Sequence, residues 1–197
     1  MNTEIFLKQY KKKLDDIYSQ IDASRLEEVI SLIMNVFNKN KRIYVCGNGG
    51  SAATASHMQA DFSFYVRYFT KFRPKIIALT DNLPVITAIG NDTSFDDIFV
   101  EQLKGNFEKD DLVICISASG NSENVIRAAK YANKCLGKSV AFVGFEGGEL
   151  NEVCSTSLFT QNPKGDYGPI EDIHMIYVHI IINYLCQKKE FLNLKSK

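Results

Sequence analysis

Two short Ser/Gly turns hold the residues best suited to chemistry. Gly47-Asn48-Gly49-Gly50-Ser51 and Ser117-Ala118-Ser119-Gly120-Asn121-Ser122 each follow an apolar run that reads as a strand and precede a helical pattern. Open α/β sheets bind ligands at the carboxyl ends of their strands. The helix that follows offers free N–H groups and the positive end of its dipole to an anion. Serine hydroxyls add donors, and glycine lets the backbone approach closely. A hydroxyl-rich turn suits a phosphomonoester better than a pyrophosphate. Gly47-x-Gly49-Gly50 lacks the third glycine of G-x-G-x-x-G, and no G-x-x-x-x-G-K-[ST] occurs, so dinucleotide and P-loop readings are set aside. One such turn alone can be a tight connection and nothing more. Two in the same sheet point to an anion site.

The elements that must position these turns follow from periodicity. Residues 3–38 carry apolar positions at intervals near 3.6, among them Ile17, Val29, Ile30, Ile33 and Val36, and read as helical. Asp22-Ala23-Ser24 interrupts them, with Ser24 as an N-cap and Glu27 three residues on as its capping-box partner. Residues 39–197 alternate strands and helices. Strands are expected at 42–46, 75–79, 112–116, 139–143 and 157–160. Helices are expected at 51–68, 84–89, 95–103 and 123–136, with a last one from Pro169 to 188. That alternation predicts a parallel sheet covered on both faces, an α/β fold in one domain over 1–197, with 1–38 as a helical segment before an αβα core.

The 197 residues carry no formal net charge, with Lys+Arg equal to Asp+Glu, and 45% are hydrophobic. A nucleic-acid binder shows a basic excess or stripe, so no nucleic-acid partner is expected. No apolar run approaches the roughly 20 residues of a membrane span, and Met1-Asn2-Thr3-Glu4 leads into a charged helix and not a secretory signal. The expected setting is cytoplasmic, with no membrane partner. The five cysteines are odd in number and form no C-x-x-C pair, so reduced thiols in the core are expected.

Cys46-Gly47-Asn48-Gly49-Gly50-Ser51-Ala52-Ala53 with His57, then Asn91-Asp92, then Ile116 to Ser122, then Glu171-Asp172-Ile173-His174 with His179, resemble the sedoheptulose-7-phosphate isomerase (phosphoheptose isomerase) family of SIS-domain proteins. The resemblance runs over nearly the whole chain. It implies a five-stranded parallel αβα sandwich of flavodoxin-like kind and a homotetramer with active sites between subunits. The implied reaction interconverts sedoheptulose 7-phosphate and D-glycero-D-manno-heptose 7-phosphate for surface polysaccharide synthesis (capsule or lipopolysaccharide). Many members carry zinc. The implied substrate contacts are Asn48, Gly49, Gly50, Ser51, Asn91, Asp92, Ser117, Ala118, Ser119 and Ser122. The family's His and Glu at i and i+4 fall on His57 and Asp61, and its Gln and His eight apart fall on Glu171 and His179. These four form the implied zinc set. The usual Arg before that Gln is replaced by Pro169, and the usual Thr between the first two serines is Ala118.

Ketose–aldose isomerisation moves a proton between adjacent carbons through an ene-diol(ate). It needs a base at those carbons and an acid or metal to steady the oxygen charge. By analogy with the family, Asp61 is the base candidate, Glu171 its alternative, and His179 the acid or second proton carrier. His57 and Asp61, four apart, share one helix face and can ligate one metal. Glu171 and His179 on a straight helix sit about 12 Å apart along the axis and about 80° round it, too far for one metal. Either the helix starts after Glu171, or the two serve different sites of an oligomer. His174 lies about 140° from His179 and is expected to be structural. Asp172 is expected to serve the helix N-terminus. The aromatics Phe62, Phe64, Tyr65, Tyr68 and Phe69 read as core or subunit contact. Two rival readings remain: a non-catalytic SIS sugar-phosphate sensor or adaptor for a replication initiator, and an isomerase of a different sugar phosphate.

Overall fold

The computed structural model describes residues 2–192. Two helices open the chain, α1 (Thr3–Tyr18) and α2 (Ala23–Asn38). The N-cap of α2 is Asp22 and not Ser24: its carboxylate accepts from the Ser24 and Arg25 backbone N–H groups, and the Ser24 hydroxyl donates to it as well. Asp22 reaches the first-turn amides from two residues before Ser24, and a carboxylate there also meets the positive end of the dipole.

Five strands form one sheet, β1 (Arg42–Gly47), β2 (Lys75–Ala78), β3 (Leu112–Ser117), β4 (Lys138–Val143) and β5 (Thr156–Phe159). Every pairing is parallel, and the order is β2-β1-β3-β4-β5. β3 is buried at every position, so it reads as a continuous apolar run. Side chains alternate across the sheet. Ile43, Val45, Leu112, Ile114, Ile116 and Phe142 face the core under the N-terminal helices, α3 (Gly50–Asp61) and α9 (Tyr167–Gln187). Tyr44, Cys46, Val113, Cys115 and Val143 face the other core, with α7 (Glu123–Lys134). Smaller helices complete that side: α5 (Leu83–Asp92), a 3₁₀ turn Phe95–Asp97, α6 (Val100–Leu103) and α8 (Gly148–Val153). The five cysteines are all free thiols, with Cys46 and Cys115 buried.

The strand order positions the two turns. From β1 the chain runs outward to β2 and then returns across β1 to β3. β1 and β3 are therefore neighbours, with Cys46 opposite Cys115 and Gly47 opposite Ile116. The direction of winding reverses between them, and the loops after both strands open into the same crevice.

Three helices differ from their sequence patterns, the expected one over 95–103 being the 3₁₀ turn Phe95–Asp97 and the short α6. The expected helix over 51–68 is three pieces: α3, a π-helical turn Phe62–Val66 and α4 (Arg67–Phe69). The widened turn keeps Phe62 and Val66 in the core and leaves Phe64, Tyr65, Tyr68 and Phe69 between 41 and 53% exposed. The last helix starts at Tyr167, two residues before Pro169. Proline fits there because a first-turn N–H needs no intrahelical partner.

Candidate active site

The loop after β3 is held open by its own bonds. Ser117 Oγ accepts from the Gly120 N–H at 3.2 Å and lies 3.3 Å from Ser122 Oγ. Ser119 Oγ accepts from the Asn121 N–H at 3.2 Å. Gly120 takes a φ of +65°, and a Cβ there would lie 1.9 Å from the Gly147 carbonyl oxygen, so only glycine fits. The loop after β4 locks onto it: Gly144 N–H donates to the Ala118 carbonyl and Leu150 N–H to the Gly120 carbonyl. α7 then begins at Glu123, and the side chain of its N-cap residue Ser122 makes no cap bond.

The loop after β1 turns at Gly49, φ +54°, into α3, which also has no side-chain cap. The two loops border one cleft of about 150 Å³, lined by Asn48, Ser51, Ile116, Ser117, Ala118, Ser119, Ser122, Tyr167 and Glu171. Two uncapped helix N-termini thus meet at a set of hydroxyls, which is the arrangement an anion needs. Glu171 is the one charged side chain in that lining. Its carboxylate stands over Gly50, where a Cβ would come within 2.4 Å of it.

A second group of side chains lies farther along α9. His57 Nε2 is 3.0 Å from His179 Nε2 and 3.2 Å from Asp61 Oδ2. Among the described residues, His57, Asp61 and His179 are the group whose donor atoms all lie within 4.8 Å of one another. Asp61 is the last residue of α3, directly before the π-helical turn, and π turns occur often at functional sites. The group borders a cleft of about 340 Å³ lined by Asp61, Tyr65, Phe69, His179, Ile182, Asn183 and Cys186. Zinc bonds of about 2.0–2.1 Å at tetrahedral angles set donors roughly 3.3 Å apart, close to the two contacts here, and three protein ligands leave a fourth position open. Two imidazoles and a carboxylate suit that ion by type and by spacing.

A model of the SIS domain family matches residues 6–144. The phosphoheptose isomerase of Aliarcobacter butzleri is 39% identical over 157 residues, covering 79% of this chain and 81% of that protein. The phosphoheptose isomerase of Clostridium acetobutylicum is 35% identical over 157 residues, covering 80% and 79%. The chain belongs to the phosphoheptose isomerase family of SIS-domain proteins. The phosphoheptose isomerase GmhA of Neisseria gonorrhoeae superposes with a TM-score of 0.81 at 26% identity, over 92% of this chain and 96% of that one. A phosphoheptose isomerase of Francisella tularensis gives the same TM-score at 24% identity.

Set against that family, the expected residues divide into three places. Asn48, Ser51, Ser117, Ala118, Ser119, Ser122 and Glu171 line the serine cleft, with Gly49 and Gly50 at the turn into α3. His57, Asp61 and His179 form the second group. Glu171, expected as the fourth zinc residue, is not brought to that group. It lies within α9, not before it, and the two helical turns between it and His179 carry it to the serine cleft. Asn91 and Asp92 end α5 on the surface, bonded to each other at 2.7 Å, and line neither cleft.

Asp172 and His174 of α9 have structural places. Asp172 accepts from the Tyr10 hydroxyl at 2.6 Å, which ties α1 to α9 and raises the Tyr10 phenol to about 12. His174 is fully buried beside Phe142, and neither ring nitrogen has a hydrogen-bond partner. Burial pushes its pKa down to about 4, against a weaker upward pull from the Val143 backbone. Two residues with a place at the cleft were missed from sequence. Tyr167 lines it directly, and Asn124 pairs with Asn48 from α7. The signal for Asn124 was an amide on a helix face otherwise occupied by Val125, Ala128 and Ala132.

Proposed function

We propose that this chain is an aldose–ketose isomerase acting on sedoheptulose 7-phosphate, producing D-glycero-D-manno-heptose 7-phosphate for a surface polysaccharide. Its single strongest support, beyond family membership, is the pairing of a serine-lined anion cleft with a His/Asp/His group two helical turns away along α9. Eight residues at 1.5 Å rise separate Glu171 from His179 by about 12 Å. That is a span an extended seven-carbon phosphate can cover. The phosphate occupies the loop Ser117–Ser122, where hydroxyls and the free first turn of α7 meet it. The chain then directs its first two carbons toward Asp61 and His179.

Within that arrangement Asp61 takes the proton from one carbon, and His179 serves the neighbouring oxygen and returns a proton. Glu171 stays beside the phosphate-end hydroxyls, which makes Asp61 the better base. Those proton roles belong to the metal-free site; alternatively His57, Asp61 and His179 would hold zinc as its ligands. When bound, that ion supplies Lewis acidity toward the oxygen charge of the ene-diolate. The Phe69 and Tyr65 rings line the same cleft as Asp61.

The reading also takes residues 1–197 as one SIS domain that works in the cytoplasm as a homotetramer with sites between subunits. Support comes from apolar surface that this copy leaves uncovered. On α5 no residue is fully buried and Leu83 is 66% exposed, and Asn91 and Asp92 stand at its end. Phe64 stacks on Tyr68 and Tyr65 on Phe69 at the mouth of the Asp61 cleft. An α5 from another copy would bring Asn91 and Asp92 to a site that this copy's own α5 does not reach.

The decisive experiment is NMR of the protein with sedoheptulose 7-phosphate in D2O. A new aldose phosphate carrying deuterium at the carbon next to the aldehyde is expected. No new sugar and no deuterium uptake would reject the assignment. One observation favours a second reading, a different sugar phosphate: the serine cleft holds a carboxylate and no cationic side chain. A panel of ketose and amino-sugar phosphates under the same assay decides between them.

A further inference from the structure

One pair of side chains ties the two loops of the serine cleft together. Asn48 Nδ2 donates to Asn124 Oδ1 at 2.9 Å, and Asn124 Nδ2 donates to Asn48 Oδ1 at 3.0 Å. Asn48 belongs to the loop after β1 and lines the cleft. Asn124 is the second residue of α7 and is 2% exposed. A buried amide in that setting costs stability unless it is bonded. These two answer each other across the switch point of the sheet.

A third bond gives the pair a direction. The Val125 backbone N–H, shared with the Ser122 carbonyl, also donates to Asn124 Oδ1 at 3.0 Å. A backbone N–H only donates, so the Asn124 atom it meets is the oxygen. Asn124 then turns its Nδ2 to Asn48, and the Asn48 atom that receives it is Oδ1. Flipping Asn48 alone would oppose N–H to N–H and oxygen to oxygen. Flipping both amides would turn the Asn124 N–H toward the Val125 N–H. The first turn of α7 therefore sets which way the Asn48 amide faces. Asn48 keeps one N–H free of the pair, available to an anion or a sugar hydroxyl.

We propose that Asn124 is a positioning residue for the sugar-phosphate site. It touches no ligand. It acts through Asn48, holding that amide in one orientation and the loop after β1 at a fixed distance from the loop after β3. This rests on the reading of the serine cleft as the sugar-phosphate site.

The test is a double-mutant cycle read in KM and kcat with the sugar phosphate. Asn124→Ala is expected to raise KM about tenfold, the scale of one lost hydrogen bond to a charged group, with kcat within about twofold. In an Asn48→Ala background the same substitution should change KM by less than about twofold, because the residue it acts through is gone. Asn124→Asp keeps the shape and both acceptor contacts, but it turns a carboxylate oxygen toward Asn48 Oδ1 and buries a charge, so it should raise KM with a lower thermal unfolding midpoint. Measured well below that midpoint, it carries the test if the alanine variant does not fold. Equal effects of Asn124→Ala in both backgrounds, or an unchanged KM in both Asn124 variants, would overturn the proposal. Calorimetry with inorganic phosphate on the same proteins separates this from the functional reading. Weaker phosphate binding in the Asn124 variants supports positioning even if wild-type protein turns over no heptose phosphate. Phosphate binding equal to wild type overturns it.

Discussion

At the scale of single residues, the site depends on three side chains that share one set of contacts. His57 Nε2 faces both His179 and Asp61, and a lone ring nitrogen cannot serve both well without a shared proton or cation. Removing His57 should therefore release any resident metal: metal analysis of His57→Ala purified without chelator is expected to show loss of zinc, and full retention would refute the three-residue site. Asp61→Asn keeps shape and removes the base. Its kcat should fall by about 10²–10⁴ with little change in KM, measured by steady-state turnover. His174 gives a separate, acid-dependent prediction. Its folded pKa of about 4 lies below the ordinary 6.5, so between those values the unfolded chain binds a proton that the fold does not. Its contribution is whole above pH 6.5 and drains away as pH falls toward 4, to a total of about 3 kcal/mol. Urea unfolding at pH 7.5 and pH 5 should show this loss, and His174→Leu should flatten the slope. An equal slope in the variant would assign the acid sensitivity elsewhere.

At the scale of elements, the serine loop is rigid because a second loop is packed into it. Gly120 and Gly148 bring the loops after β3 and β4 into direct backbone contact, with Gly148 facing the Ser119 carbonyl. Gly120→Ala would put its methyl against backbone, not against a flexible side chain, at a positive φ. A loss of about 2–4 kcal/mol is expected in denaturant unfolding, together with loss of phosphate binding. Gly50→Ala meets only the end of the Glu171 side chain, which can move aside. Its stability should change by less than about 1 kcal/mol. The π-helical turn after Asp61 is the other local device. It lets Phe62 and Val66 stay in the core while the helix presents its aromatics outward.

At the scale of the whole molecule, the order β2-β1-β3-β4-β5 makes the site. It sets side by side two loops that are about 70 residues apart in sequence. Exposed Leu83 of α5 and the aromatics of the π turn and α4 support the proposed assembly of several copies. Light scattering should give about four times the chain mass of 22.2 kDa. A monomer with full activity would refute the shared site.

How much of this was legible in the sequence varies with the range of the interaction. Strand and helix periods, the two Ser/Gly turns and the family motifs are local patterns, so the parallel α/β fold and the place of both turns at strand ends were readable from the chain. So was the distance between Glu171 and His179, because helix rise is fixed by backbone geometry. Tertiary structure alone decided the rest. It moved Glu171 to the serine cleft and left His57, Asp61 and His179 as a group of three. It widened the helix after Asp61 into a π turn and joined Asn48 to Asn124. Each of these depends on which elements pack side by side, and packing is a choice among long-range contacts that no local spacing encodes.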